Sequence, residues 1–149
     1  MAVAGSEGAP VADVDAAERV GRALAERGAV VVCGGRGGVM EAACRGAKDA
    51  GGATLGILPG LDRSDANPYV DLAVPTGLGE ARNALVVRAA DALIAVGGEW
   101  GTLSEIALAM RAGKRVVGLG TWELNRGGRP VEGIFAAADP EQAVELALG

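Results

Sequence analysis

The sequence contains no histidine and few aromatic residues. The first absence excludes several kinds of catalytic and metal site, and the second limits the side chains that can form the core. Without imidazole there is no Ser-His-Asp triad, no histidine zinc ligand and no histidine acid or base. Aromatic residues make up 3% of the chain, so the core must be built from aliphatic side chains. The two cysteines, Cys33 and Cys44, match no metal-binding or redox spacing. We therefore expect buried, reduced thiols and no metal site.

The chain also lacks an excess of positive charge. Its 14 Lys and Arg residues are outnumbered by 19 Asp and Glu residues, which gives a net charge of −5. Such a surface does not attract a phosphate backbone, so no nucleic-acid partner is expected. No apolar run approaches the roughly 18 residues of a transmembrane helix, and residues 1–5 lack the basic start of a signal peptide. We expect a cytoplasmic protein with no membrane partner.

Glycine is abundant, with 25 of 149 residues, and many of the glycines lie between predicted strands and helices. Strands are predicted at residues 1–4, 29–33, 53–58, 69–74, 92–96, 114–119 and 134–137. Helices are predicted at 13–27, from 39 to about 50, at about 78–90, at 102–112 and after Asp139. This alternation with short loops predicts a single α/β domain over residues 1–149, a doubly wound, Rossmann-like, mostly parallel sheet with helices on both faces.

Two glycine-rich loops follow predicted strands, at Gly34-Gly35-x-x-Gly38 and Gly97-Gly98-x-x-Gly101. Glycine permits a tight turn and a close approach of backbone to ligand, and the helix that follows presents free amides suited to a phosphate. The alternative is that these glycines only permit tight strand-to-helix turns. Neither loop is a P-loop or a GxGxxG dinucleotide motif, so a P-loop nucleoside triphosphatase and an NAD enzyme are disfavoured.

Two charged residues near these loops have both a functional and a plain structural interpretation. Thr102 and Glu105 have the spacing of a helix capping box, which would occupy both side chains and hold the Glu105 carboxylate ionised. Arg82 lies at the predicted start of a helix, where the helix dipole disfavours a cation. A nearby anion, from a ligand or from Glu105, would offset this cost. The simpler alternative is a solvated arginine paired with Glu80.

The string Gly97-Gly98-Glu99-Trp100-Gly101-Thr102-Leu103-Ser104-Glu105 resembles the PGGxGTxxE signature of the LONELY GUY (LOG) family, whose members were long misnamed lysine decarboxylases. The resemblance runs from about residue 31 to 119. Residues 34–40 are similar to a GGGxxGxM segment, 56–60 to a GVIP segment and 80–83 to an ERK segment. The chain departs from the signature at Val96, Asn83 and Ser104, and in this it resembles the bacterial branch that includes molybdenum-cofactor carrier proteins.

The resemblance implies a site and two alternative functions. It implies Arg82 and Glu105 as a catalytic pair, and as ligand- or phosphate-binding residues Gly34, Gly35, Gly38, Met40, Pro59, Asn83, Gly97, Gly98, Gly101 and Thr102. One function is binding or carrying a phosphorylated small molecule, with a molybdenum cofactor or a nucleoside monophosphate as ligand and no required cofactor. The other is hydrolysis of nucleoside 5′-monophosphates to base and ribose 5-phosphate. Relatives of both kinds imply a homodimer or homotetramer.

Overall fold

The structure is a computed structural model that describes residues 1–149, and strands alternate with helices along its whole length. The strands are β1 (Ala2–Ala4), β2 (Val31–Cys33), β3 (Thr54–Leu58), β4 (Leu72–Pro75), β5 (Ala92–Val96), β6 (Arg115–Leu119), β7 (Asn125–Arg126), β8 (Arg129–Pro130) and β9 (Ile134–Ala136). The helices are α1 (Val11–Glu26), α2 (Val39–Asp49), α3 (Asn83–Arg88), α4 (Trp100–Arg111) and α5 (Pro140–Leu148).

Seven of the strands form one parallel sheet in the order β4-β3-β2-β1-β5-β6-β9, while β7 and β8 form a separate antiparallel hairpin. The strand order reverses at β1, which pairs with both β2 and β5. In sheets of this kind, ligands bind beyond the carboxyl ends of the strands at the point of reversal. The loops that follow β1 and β5 therefore mark the expected position of a site.

Helices cover both faces of the sheet, because successive side chains of each strand point to opposite sides. Val3 and Ile94 lie in the hydrophobic cluster that includes residues of α1, α2 and α5. Ala4 and Leu93 lie in the cluster on the other face, with residues of α3 and α4. The predicted doubly wound, Rossmann-like fold is confirmed. None of the helices combines the length and the apolar composition needed to cross a bilayer.

The helix predicted over residues 78–90 is divided in the structure. Gly79–Arg82 forms a 3-10 turn, and α3 itself covers only Asn83–Arg88. Gly79 has a φ of 58°, which lies outside the α-helical region, so a regular helix cannot include this residue. Arg82 consequently ends a tight turn instead of lying within the first turn of a long helix. The segment over residues 120–130, between β6 and β9, contains the β7–β8 hairpin.

The cysteines are both free and buried, as the sequence predicts. Their Sγ atoms lie 3.5 Å apart, and the backbone N–H of Gly35 donates to Cys33 Sγ over 3.3 Å. The hydrogen bond with the neighbouring Cys33 sulfur, together with burial, raises the pKa of the Cys44 thiol far above its ordinary value. The pair therefore forms part of the packing between β2 and α2.

Candidate functional site

A cavity of about 370 Å³ opens at the carboxyl ends of β1 and β5, where the strand order reverses. Of the residues predicted for the site, Met40, Pro59, Arg82, Gly101, Thr102 and Glu105 line this cavity. The others, Gly34, Gly35, Gly38, Asn83, Gly97 and Gly98, do not line it. We name it the Arg82–Glu105 cavity, since these two residues bring opposite charges to one space.

Glu105 is a buried carboxyl group on the inner side of α4, with 7% of its surface exposed. None of the ion pairs of the chain includes it. Burial raises the pKa of Glu105 to about 7, and the positive charge of Arg82 only partly opposes this rise. The carboxyl group therefore changes its charge near neutral pH, and the expectation that it is held ionised is wrong.

The capping box predicted for Thr102 and Glu105 is absent. The helix begins earlier, with Glu99 as its N-cap and Trp100 as its first residue, and no side chain caps it. Thr102 is 3% exposed and faces the cavity from within the first turn. Both residues are thus placed towards the cavity by the helix itself, and neither is occupied by the backbone amides that a capping box would use.

Two hydrogen bonds hold the guanidinium group of Arg82 through its Nη1 and Nη2 atoms. Its Nη1 donates to the side-chain oxygen of Asn83, and its Nη2 donates to the carbonyl oxygen of Gly34 over 3.4 Å. The Nε atom is buried and has no partner. Burial lowers the pKa of Arg82 from its ordinary value, although the Glu105 charge acts in the opposite direction. Arg82 forms no ion pair with Glu80, which was the alternative considered above. Its buried Nε–H group is therefore a hydrogen-bond donor without an acceptor.

Asn83 supports Arg82 from outside the cavity. It is 5% exposed, and its Nδ2 donates to Ser104 Oγ over 3.0 Å. Ser104 Oγ in turn donates to the carbonyl oxygen of Gly101 over 2.7 Å. These bonds connect the Arg82 guanidinium to the first turn of α4. Direct contact of Asn83 with a ligand stays a prediction.

The first glycine loop is shaped by packing within the protein. A Cβ on Gly34 would lie 2.5 Å from Arg82 Nη2, so glycine leaves room for the guanidinium. Gly38 has a φ of 62°, and a Cβ there would overlap the carbonyl oxygen of Ser6. That carbonyl accepts a hydrogen bond of 3.1 Å from the first amide of α2, at Val39. Tight turns and close backbone approach account for these glycines, and direct ligand contact stays a prediction.

The second glycine loop lies against α1. A Cβ on Gly97 would overlap the carboxylate of Asp13, and a Cβ on Gly98 would lie 2.5 Å from the Thr102 side chain. Gly101 has no atom near the position of a Cβ, so its side faces open space in the Arg82–Glu105 cavity. Within this loop, Glu99 and Gly101 line the cavity, whereas Gly97 and Gly98 do not.

Several residues that surround the cavity were not predicted from the sequence. Glu7 and Gly8 follow β1 and line it, and the end of β1 at the reversal point was the available signal. Arg36 also lines the cavity, and its Nε forms an ion pair of 2.6 Å with Glu7 Oε1. Asp13 was missed because nothing in the sequence indicates its contact with Gly97. The structure contains no group of His, Cys, Asp and Glu residues arranged to hold a metal ion.

Two comparisons relate this chain to known sequences. The sequence profile of the SLOG cluster4 family matches residues 1–144. An uncharacterized protein of Archaeoglobus fulgidus is 43% identical over 135 residues, which represent 89% of this chain and 83% of that protein.

Solved structures give the same relationship. The molybdenum cofactor binding protein of the phototrophic bacterium Rippkaea orientalis is 37% identical, with a TM-score of 0.87 over 97% of this chain and 92% of that one. The molybdenum cofactor carrier protein of Chlamydomonas reinhardtii is 35% identical, with a TM-score of 0.81 over 97% and 92% of the two chains. The resemblance found in the glycine-rich motifs is confirmed, and the chain belongs to the SLOG cluster4 family.

Proposed function

We propose that the protein binds a phosphorylated small molecule, of molybdopterin or nucleotide type, in the Arg82–Glu105 cavity and serves as its carrier. The observation that carries this proposal is the buried, unpartnered Nε of Arg82 at a cavity of about 370 Å³. A buried donor without an acceptor costs roughly 1–3 kcal/mol. An anionic oxygen of a ligand would remove this cost. The similarity to the molybdenum cofactor binding and carrier proteins supports the same class of ligand.

The anionic group would lie between Arg82 and the start of α4. The guanidinium supplies charge and directional N–H donors, which suit phosphate oxygens. The helix start adds free backbone amides and a partial positive charge. Gly101 leaves space beside these amides, because no side chain projects from it. Arg36 adds a second positive charge at the cavity, although Glu7 already pairs with it.

Glu105 would respond to the charge of the ligand. Near pH 7 its carboxyl group is partly protonated, and the protonated form can donate a hydrogen bond to a phosphate or accept one from a ribose hydroxyl. The ionised form repels a phosphate. Binding of an anion and protonation of Glu105 should therefore favour each other.

A second candidate function, cleavage of a nucleoside 5′-monophosphate, is favoured by the same carboxyl group. A pKa of about 7 is close to the value at which a side chain acts well as a general acid or base near neutral pH. Cleavage of an N-glycosidic bond proceeds through an oxocarbenium-like transition state, which a carboxylate can stabilise or supply with an activated water. Arg82 would hold the phosphate or ribose during this reaction.

One experiment separates the two functions. A panel of nucleoside 5′-monophosphates and pterin phosphates is tested by thermal shift and isothermal titration, and free base and ribose 5-phosphate are assayed in parallel. Arg82→Gln should weaken binding at least roughly 10-fold. Arg88→Gln is the matched control, since Arg88 is exposed at the end of α3.

The outcomes of this experiment are distinct. Binding without product supports the carrier function. Product release that Glu105→Gln abolishes supports the hydrolase. If no phosphorylated compound binds, or if Arg82→Gln binds as tightly as the unaltered protein, the proposal is refuted.

We also propose that the chain forms a homodimer or homotetramer. Leu72 and Val74 alternate on the edge strand β4, so their side chains share a face, and they are 67% and 46% exposed. Leu78 and Leu85, from the segment around α3, are 53% and 41% exposed. Contiguous exposed apolar surface marks interaction sites in many proteins. A second copy of the chain would cover this face.

A further inference from the structure

A second cavity, of about 410 Å³, adjoins the Arg82–Glu105 cavity. Both cavities are lined by Ser6, Gly8 and Glu99, so they form one continuous groove along the carboxyl edge of the sheet. The second cavity extends to Asp13 and Trp122, and we name it the Asp13 recess. A ligand held by its phosphate in the first cavity would have room for its remaining part in the recess.

The side chain of Asp13 gives the recess its chemical character. Asp13 lies in the first turn of α1. The absence of a Cβ at Gly97 allows the carboxylate to lie directly against the second glycine loop. No ion pair of the chain includes Asp13. A carboxylate acceptor thus lines the recess without a cationic partner.

A tryptophan forms another wall of the recess. Trp122 lines it, and its indole Nε1 donates to the carbonyl oxygen of Glu99 over 3.3 Å. The ring packs against Trp100, with centroids 5.2 Å apart, and Trp100 is 76% exposed. Both tryptophans of the chain are therefore at this end of the groove. Flat aromatic surface of this kind suits a planar ring system.

The two cavities differ in their basic side chains. Acidic side chains line both, with Glu99 shared between them, but only the first cavity also has arginines, Arg36 and Arg82. The recess has Asp13 and Glu99 and no basic side chain. A phosphate in the recess would be repelled, so the phosphate of a ligand belongs at the Arg82 end. The recess instead suits a part of the ligand that is planar and carries N–H donors. No third acidic or sulfur ligand completes a metal site there.

We propose that the Asp13 recess binds the 2-amino-4-oxopyrimidine edge that guanine and pterin rings share, while the phosphate of the same molecule occupies the Arg82–Glu105 cavity. This edge presents two adjacent N–H donors, and a carboxylate has two oxygens that accept them side by side. Adenine, hypoxanthine and lumazine do not present this donor pair. The inference rests on the proposed function and specifies which ring system that function selects.

The test compares ligands that differ in the 2-amino group. Dissociation constants are measured by isothermal titration for GMP, IMP and AMP, and for 6-hydroxymethylpterin monophosphate and its lumazine analogue. Tryptophan fluorescence is followed in the same titrations, since Trp122 lines the recess and Trp100 packs against it. We expect GMP to bind roughly 10- to 100-fold more tightly than IMP, and the pterin phosphate to exceed the lumazine analogue by a similar factor. Whichever of GMP and the pterin phosphate binds more tightly shows whether the recess prefers guanine or pterin.

Asp13→Asn tests whether the carboxylate is responsible. This variant should reduce the preference for GMP over IMP to less than about 3-fold, with little change in the affinity for IMP. Asp15→Asn, an exposed position on the same helix, should keep the full preference. Equal binding of GMP and IMP, or an unchanged preference in Asp13→Asn, overturns the inference. If the inference fails in either way but Arg82→Gln still weakens the binding of all ligands, the proposed function stands. If none of the compounds binds, the proposed function itself is refuted.

Discussion

Replacement of Glu105 by glutamine should stabilise the protein at alkaline pH. The carboxyl group is buried, and its pKa in the folded protein is about 7 against an ordinary value of 4.5. Because the folded-state pKa is raised, the folded protein binds the proton more tightly than the unfolded chain does. The contribution of Glu105 to the free energy of unfolding is therefore most favourable below pH 4.5 and declines as the pH rises towards 7. Above pH 7 the buried carboxylate carries its full cost.

The size of this cost follows from the shift. One pKa unit corresponds to about 1.36 kcal/mol, so the ionised Glu105 carboxylate costs about 3 kcal/mol at pH 8.5 and less than about 1 kcal/mol at pH 5. Glutamine has nearly the same shape and no charge. For a chain of this length, 3 kcal/mol corresponds to a rise of roughly 6–12 °C in Tm.

The assay is urea unfolding of the unaltered protein and Glu105→Gln at pH 5 and pH 8.5. The difference between the two proteins isolates Glu105, because other groups titrate alike in both. These include the buried amino terminus, where burial lowers the pKa below its ordinary value. Glu80→Gln is the matched control, since Glu80 is an exposed carboxylate beside the same cavity. A glutamine variant no more stable than the unaltered protein at pH 8.5 would refute the reasoning.

Three further predictions follow from the same geometry. Affinity for a phosphorylated ligand should fall up to roughly 10-fold per pH unit above pH 7 in the unaltered protein, while Glu105→Gln, measured by titration calorimetry, should lack this component. Gly34→Ala should weaken ligand binding roughly 10-fold, with a Tm loss below about 4 °C, because the added Cβ displaces the Arg82 guanidinium. The control Gly37→Ala should bind the ligand normally. Equal affinities of the two variants would contradict the role of Gly34. Leu72→Asp should convert the oligomer to a monomer in sedimentation analysis, and Leu148→Asp, at another exposed leucine, should not; a monomeric unaltered protein would contradict the proposed association.

The fold was predictable because its signals are local. Continuous apolar runs such as residues 92–96 predict strands buried on both faces, and the glycines mark where helices end. The exception was the region around Gly79, where a positive φ interrupts the predicted helix. A single glycine does not reveal in the sequence which conformation it adopts, so the short 3-10 turn could not be distinguished from a helix start.

The site was predictable only in part, because its properties depend on contacts between distant segments. Arg82 and Glu105 were identified by family resemblance, and both line the cavity. The spacing of Thr102 and Glu105 suggested a capping box, but the helix begins at Trp100, which places both residues inside the helix. The raised pKa of Glu105 arises from tertiary burial, and local sequence does not indicate it. The contact of Asp13 with Gly97 is likewise visible only once α1 is packed against the second glycine loop.

The proposed function requires the free Nε of Arg82 to bind the anionic group of a ligand. Nuclear magnetic resonance of the arginine Nε–Hε groups, assigned with Arg82→Lys, tests it directly during titration with GMP or 6-hydroxymethylpterin monophosphate. We expect the Arg82 Hε resonance to move downfield by a change that saturates with ligand, while that of the exposed Arg88 stays in place. Saturating binding that leaves the Arg82 resonance unchanged would show that Arg82 Nε does not bind the anionic group.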